Sequence, residues 1–197
     1  MISAQKSFLN NLRSKTHASH TQLEQLPVSL SLISKDVNLQ QYCNYLKSMY
    51  QVIYDTEQNI FPFLKDTIPD LEKRKKAHLL ERDLNFLGRN NNGVRNFPLT
   101  CKIDTITLPY ALGIIYVIEG STLGGRVILK NIQRVLGFTE EEGASYFAGY
   151  KSETSSLWRK FLDVLTEFEA AHNSEKAIIS GADFAFSAIY NHLQKKP

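Results

Sequence analysis

A chain of 197 residues has the size of one domain and can bury roughly 70% of the surface that it exposes when unfolded. We therefore expect a single domain over residues 1–197. The 23 Lys and Arg against 20 Asp and Glu give a net charge of only +3, which excludes the strongly basic composition of nucleic-acid-binding proteins. Two cysteines, Cys43 and Cys101, are too few for a disulfide framework and too far apart for a structural zinc site.

The ends of the sequence carry no membrane signal. Residues 1–12 contain no apolar stretch of signal-peptide length, and residues 195–197 form no hydrophobic anchor. We expect a cytoplasmic protein without a membrane anchor.

The first amphipathic segment repeats its apolar residues with the helical period of 3.6. Phe8, Leu12 and Leu23 share its apolar face, His20 lies at the edge of that face, and His17 points away from it. Glu24 follows His20 by one turn, so its carboxylate can accept the Nδ1 proton while Nε2 binds a metal. The same spacing suits an ordinary hydrogen-bonded histidine, and the helix pattern alone does not decide between the two.

Two further helices are predicted from their end signals. The second begins after Asn38, which forms a capping box with Gln41, and ends at Pro62. The third is entered near Pro69 and ends at Gly88, because glycine favours the position after a helix C-terminus.

Residues 73–76 read Lys-Arg-Lys-Lys and fall on the third predicted helix. We interpret this basic run as a solvated helix face that can meet an acidic redox partner. The polar residues 89–93 then form a loop.

The second half of the chain is also helical by pattern. Residues 109–118 are apolar on every side, which indicates a buried helix too short to cross a membrane. Thr139 and Glu142 match a capping box, and apolar helical stripes cover residues 158–168 and 178–193. No segment shows the period-two alternation of a β-strand. The sequence predicts a compact all-α domain of six to eight helices.

Residues 116–126 continue the buried helix but contain three glycines, each of which costs about 1 kcal/mol relative to Ala. Gly120 and Gly124 let the backbone approach a flat ligand closely or let the helix kink. A Gly-x-x-x-Gly contact with another helix explains them equally well. A phosphate-binding loop does not, because Arg126 and Val127 replace the required Lys-Ser/Thr pair.

Glu169 and His172 form one Glu-x-x-His element, the type that occurs in di-iron helical proteins. Such a centre needs two copies of the element and two more glutamates, and the sequence has a single copy. We therefore interpret this pair as part of a surface helix end.

Three segments in the same order, residues 12–24, 79–88 and 116–125, resemble the heme oxygenase family. The likeness is greatest to the bacterial biliverdin-producing type that is often associated with bacteriophytochromes. It implies a single heme oxygenase-like multihelical domain, and it places His20 at the position of the proximal iron ligand, with Glu24 beside it.

The resemblance also implies the residues of the distal wall. Gly120 and Gly124 would let the distal helix lie across heme, Ser121 would line the oxygen-side pocket, and Tyr116 belongs to the same signature. Several relatives carry an aspartate where this chain has Ser121. The phytochrome-associated subgroup resembles this chain more closely at that position.

Three more residues are implied at the rim of the heme. Arg13 and Arg159 match positions that meet heme propionates, which suits guanidinium because it pairs with carboxylates. Phe186 would wall the pocket, and a core role suits it equally.

The activity implied by the resemblance is oxidative opening of heme to biliverdin, carbon monoxide and ferrous iron, with dioxygen and external electrons. Heme would be both cofactor and substrate. The sequence has no flavin or nicotinamide fingerprint, so a ferredoxin or a flavin reductase would supply the electrons. A non-catalytic heme-binding or heme-storage protein and a similarly folded thiaminase-like enzyme are the alternatives.

Overall fold

The computed structural model of the protein describes residues 2–89 and 96–195, so the loop predicted at residues 89–93 lies almost entirely outside the described residues. Within these ranges the fold consists of eight α-helices with short 3-10 and π turns and contains no β-strand. This architecture confirms the all-α prediction.

The α-helices are, in chain order, α1 (Ile2–Glu24), α2 (Pro27–Ser31), α3 (Leu39–Asp55), α4 (Ala77–Phe86), α5 (Leu108–Leu136), α6 (Ser145–Ala148), α7 (Thr154–His172) and α8 (Glu175–Leu193). A π turn over Thr56–Ile60 and a 3-10 turn over Phe61–Phe63 extend α3. Further 3-10 turns cover Leu71–Arg74, Thr100–Lys102 and Lys151–Glu153.

The end signals of α3 and the C-terminal signal of α4 act largely as the sequence predicts, but α4 begins at Ala77 and not near Pro69, because a 3-10 turn and the extended Lys75 precede it. Asn38 and Gln41 form the reciprocal capping box, with both hydrogen bonds at 3.0 Å. Pro62 lies in the 3-10 turn that follows the π turn, so regular α-helix ends earlier, at Asp55. Gly88 has a φ of +64° directly beyond α4, the conformation that favours glycine there.

Two further local predictions are wrong. Thr139 does not begin a helix, although its hydroxyl accepts the Glu142 N–H at 3.1 Å, because the backbones of the same two residues also bond to each other in a tight turn. The basic run at residues 73–76 is solvated only at Lys73 and, in part, at Lys75. Arg74 and Lys76 are only 1% and 2% exposed, because both side chains turn inward to a buried acid.

The long helix α5 forms the centre of the fold and packs most extensively against α8. By length and composition it is apolar enough to cross a membrane, but 44% of its most apolar window is buried within the fold, and core helices meet the same criterion. It continues unbroken through the glycine segment, so the kink that these glycines permit does not interrupt the helix.

Candidate functional site

The N-terminal part of the chain is bound to α5 at two points. At one point the Arg13 guanidinium donates to the Tyr116 hydroxyl. At the other, the Asn131 amide donates to the carbonyls of Leu32 and Ser34, both at 2.8 Å. The two points lie about 22 Å apart along α5, at a rise of 1.5 Å per residue. The glycine segment of α5 lies between these two points, and we infer that it and the middle of α1 are the walls of a cleft.

His20 lies on the α1 wall, two helical turns beyond Arg13 and on nearly the same side of the helix. Its side chain is 51% exposed, and its Nε2 lies 3.5 Å from Glu24 Oε1. The sequence interpretation gave Nδ1 to Glu24 and Nε2 to the metal, so the structure presents the opposite ring nitrogen to the carboxylate. His17 is exposed, in agreement with its predicted outward direction.

The Phe186 side chain supports His20 from α8. The two rings meet edge to face, with their centroids 5.4 Å apart. Phe186 itself is 6% exposed and belongs to the hydrophobic core. It therefore both fills the core and borders the imidazole, which are the two roles that the sequence left open.

The α5 wall presents glycine and exposed apolar side chains. A Cβ built on Gly124 meets nothing within 4 Å, and one on Gly120 meets only the Trp158 ring, at 3.5 Å. On the same stretch of helix, Leu123 and Val127 are 45% and 63% exposed. Gly120-x-x-x-Gly124 is therefore not a helix-packing contact. Exposed apolar side chains around open glycine are what a flat apolar ligand requires.

The Trp158 side chain of α7 contacts two of the predicted residues on α5, Tyr116 and Gly120. Its ring lies 5.6 Å from the Tyr116 ring, centroid to centroid, and over Gly120. Burial raises the pKa of the Tyr116 phenol, and the Arg13 guanidinium opposes that rise. The sequence assigned Trp158 to an ordinary core stripe, because nothing in its spacing indicates that it reaches across to α5.

Two predicted residues lie at the margins of this arrangement. Ser121 is exposed on α5 and donates its hydroxyl hydrogen to the Ile118 carbonyl at 2.8 Å. Arg159 is exposed on α7, immediately beyond Trp158, and within the described chain no contact binds it to the other predicted residues.

A cluster of buried charges, which the sequence did not reveal, lies directly behind the glycine segment. Glu119 is 2% exposed and precedes Gly120. Its Oε1 accepts from Lys76 Nζ at 2.7 Å and from the Tyr150 hydroxyl at 2.8 Å, and its Oε2 accepts from the Arg74 guanidinium. Burial favours a raised pKa for Glu119, but the charges of Lys76 and Arg74 outweigh it and lower that pKa below its usual value.

The single Glu-x-x-His element does not form a metal centre. His172 lies at the exposed end of α7, where its Nδ1 contacts the Phe168 carbonyl at 2.9 Å. Across residues 2–89 and 96–195, no group of three or more His, Cys, Asp and Glu side chains is arranged to hold a metal ion.

The family model for heme oxygenases matches residues 6–195, nearly the whole chain. The chain belongs to the heme oxygenase family. It is 25% identical over 202 residues to the heme oxygenase PigA of Pseudomonas aeruginosa, covering 98% of this chain and 96% of that protein. As a heme oxygenase it takes heme as substrate and cofactor.

Solved structures agree with this assignment. The NO- and CO-bound heme oxygenase of Neisseria meningitidis superimposes with a TM-score of 0.75 at 25% identity, covering 95% of this chain and 90% of that one. Heme oxygenase-1 of Synechocystis, solved in complex with heme, has the same fold, with a TM-score of 0.76 at 17% identity over 94% and 90% of the two chains. The family match favours the enzyme over the heme-storage and thiaminase-like alternatives.

Proposed function

We propose that this heme oxygenase binds heme between α1 and the glycine face of α5, with His20 as the proximal iron ligand, and opens it to biliverdin, carbon monoxide and ferrous iron. The open surface over Gly124 is the observation that carries the proposal. It lies on α5 between the two points at which the N-terminal part of the chain is bound, and His20 is exposed on α1. Heme bound there would supply the iron that activates dioxygen and the porphyrin ring that is oxidised.

The proximal residues would hold the imidazole in a fixed orientation. Rotation of the His20 ring exchanges its two nitrogens, so that Nε2 faces the cleft and Nδ1–H donates to Glu24. A carboxylate in that position fixes the tautomer in which the Nε2 lone pair is available to iron, and it makes the imidazole a stronger ligand. The edge of Phe186, 5.4 Å from the imidazole centroid, limits how far the ring can turn.

The distal residues and the rim arginines would orient the ring. Gly120 and Gly124 let the α5 backbone approach the ring face, and Ser121 borders the oxygen side. Arg13 and Arg159 are the cations for the two propionates. Arg13 already bonds to Tyr116 and so has a defined position at the mouth of the cleft.

Electrons would come from a separate protein, a ferredoxin or a flavin reductase, since the sequence has no nucleotide-binding fingerprint. A cytoplasmic location and supply of chromophore to a bacteriophytochrome are consistent with the resemblance to that bacterial type. Arg74 and Lys76 are unsuited to dock a donor because both are buried.

The test adds hemin to the purified protein and then supplies reductant and oxygen in the presence of catalase. We expect a Soret band that saturates at one heme per chain, followed by biliverdin absorption. His20→Ala should change the axial-ligand spectrum and suppress biliverdin formation, and the control His17→Ala should leave both nearly intact. Equal effects of the two substitutions would contradict His20 as the ligand, and stable heme without turnover would contradict the reaction.

A further inference from the structure

The buried cluster of Arg74, Lys76, Glu119 and Tyr150 is joined to the glycine segment by the chain itself. Glu119 is covalently bonded to Gly120, and both of its carboxylate oxygens accept hydrogen bonds from the cluster. Lys76 Nζ also donates to the Arg74 carbonyl at 3.2 Å and to the Tyr150 hydroxyl at 2.7 Å, which occupies its three hydrogens. The start of the glycine segment is therefore held by a fully hydrogen-bonded group of charges.

Charge in the cluster is balanced by a fourth ionised group. Asp70 accepts from Arg74 Nε at 2.8 Å and is 22% exposed, so two acids face two cations. Taking charges out of water costs several kcal/mol per ion, and a buried ion pair contributes little more stability than a packed apolar pair. Stability alone gives no reason to bury Lys76 and Glu119 behind this particular segment of α5.

A cavity lies between Lys76 of the cluster and Ser121 of α5. Its volume is about 40 Å³, and Lys76 lines it together with Ser121, Thr122, Tyr45 and Tyr146. A polar cavity of that volume has room for at least one water molecule. The Lys76 ammonium therefore shares a solvent-sized space with Ser121, the residue that borders the proposed oxygen side.

We propose that Lys76 and Glu119 are a positioning pair for the heme oxygenase reaction, which fixes the start of the glycine segment and sets the electrostatic potential on the oxygen side of bound heme. This inference rests on the proposed heme site. Lys76 contributes positive potential through the cavity, and Glu119 opposes it from behind the helix. Two unit charges about 10 Å apart, at an effective dielectric constant of about 20, shift a pKa by about one unit.

The groups around the pair keep its charge constant near neutral pH. Burial raises the pKa of Tyr45 to about 12 and also raises that of Tyr146, so both phenols stay protonated. Glu57 accepts from the backbone N–H groups of Lys76 and Ala77, at 2.5 and 2.8 Å. The electrostatic potential at the cleft therefore depends on the charged side chains of the cluster and not on ionisation of these phenols.

The experiment measures the pH midpoint of the acid-to-alkaline spectral change of the ferric hemin complex. In this transition, the ligand on the oxygen side of the iron loses a proton. Lys76→Met removes a positive charge and should raise the midpoint by about one pH unit, whereas Glu119→Gln removes a negative charge and should lower it by about as much. Lys73→Met, an exposed neighbour in the same basic run, is the control and should leave the midpoint unchanged.

Opposite shifts support the pair, because a helix that is merely loosened would move both midpoints in the same direction. Shifts of equal sign, or no shift, overturn the inference. If Lys76→Met does not fold, Lys76→Gln, which keeps a donor for Glu119, must give the same upward shift, and an unchanged midpoint then overturns it. Failure of the proposed heme site is distinguishable, because the unsubstituted protein would then show no His-ligated Soret spectrum.

Discussion

The glycines of the central helices α5 and α8 fall into two sets with opposite surroundings. A Cβ on Gly113 would lie 2.0 Å from the Ile178 carbonyl oxygen of α8, and one on Gly181 would lie 2.1 Å from the Tyr110 carbonyl oxygen of α5. These two glycines let the central helices touch backbone to backbone. Gly124, eleven residues beyond Gly113, has only open space around it. Gly113 and Gly181 therefore serve the fold, as does Gly125, whose Cβ would lie 2.8 Å from the Phe147 carbonyl oxygen, whereas the space at Gly124 is free for the proposed ligand.

The largest effect should come from the packing glycines. Gly113→Ala places a methyl group inside the van der Waals radius of the Ile178 carbonyl, and backbone cannot move aside as a flexible side chain can. We expect the apoprotein to lose about 3 kcal/mol of unfolding free energy, the upper part of the usual range for overpacking. Urea unfolding of the apoprotein measures this, with Gly124→Ala in the same helix as the matched control. Equal stabilities of the two variants would contradict the distinction between the two sets.

The charged cluster behind the glycine segment should contribute the next largest effect. Replacing Glu119 by Gln removes a charge-assisted acceptor from Arg74 and Lys76 and should cost about 2 kcal/mol at neutral pH. Because folding lowers the pKa of Glu119 below its ordinary 4.5, its stabilising contribution is present above pH 4.5 and disappears as the pH falls through the folded-state pKa.

Urea unfolding of the unsubstituted protein and of Glu119→Gln between pH 7 and pH 3 measures that contribution. The gap between the two proteins should narrow on the acid side of pH 4.5. A difference in unfolding free energy that stays constant over the whole pH range would show that the ionised carboxylate contributes nothing to stability. The start of the glycine segment would then not be stabilised by charge.

A smaller effect of opposite sign is expected at Gly124. Gly124→Ala should stabilise the apoprotein by about 1 kcal/mol, because alanine is the better helix former and its methyl group meets open space. The same methyl group should weaken hemin binding, since it projects from the proposed ligand face. Thermal unfolding of the apoprotein and hemin titration measure the two quantities, and Lys130→Ala, at an exposed position on the same helix, is the control. If Gly124→Ala instead lowered both stability and heme affinity, the missing side chain of Gly124 would be needed for packing within the fold.

Local signals in the sequence predict the helices well and fail where the deciding partner is distant. The Asn38 capping box and Gly88 depend on bonds within a few residues and are confirmed. Arg74 and Lys76 were assigned to a solvated face because Glu119 lies 45 and 43 residues further along the chain. Periodicity contains no information on such a partner.

Other errors have equally physical causes. Thr139 was taken for a helix cap because the hydrogen bond from the Glu142 N–H to its hydroxyl is the same in a tight turn and in a capping box. The contacts of Gly113 with Ile178 and of Trp158 with Tyr116 are set by how helices cross, which single-helix patterns do not encode. Helix periodicity and glycine cost alone single out His20, Glu24, Gly120 and Gly124, whereas the other candidate residues of the site come from the family resemblance.

The smallest effect on folding is expected on the opposite wall of the cleft. The His20 and Glu24 side chains are 51% and 63% exposed, and His20 Nε2 lies 3.5 Å from Glu24 Oε1. Because contacts between exposed side chains contribute little to stability, Glu24→Gln should change the unfolding free energy of the apoprotein by less than about 0.5 kcal/mol. Its effect on heme should be much larger, because the carboxylate orients Nδ1–H of the iron ligand, and the loss of such a partner weakens metal binding by about tenfold or more. Hemin titration and thermal unfolding, with Gln25→Glu at the neighbouring exposed position as the control for surface charge, measure the two effects. If Glu24→Gln lowers apoprotein stability as strongly as heme affinity, then Glu24 stabilises the fold, as Gly113 does, and does not serve the ligand in the way proposed for Gly124.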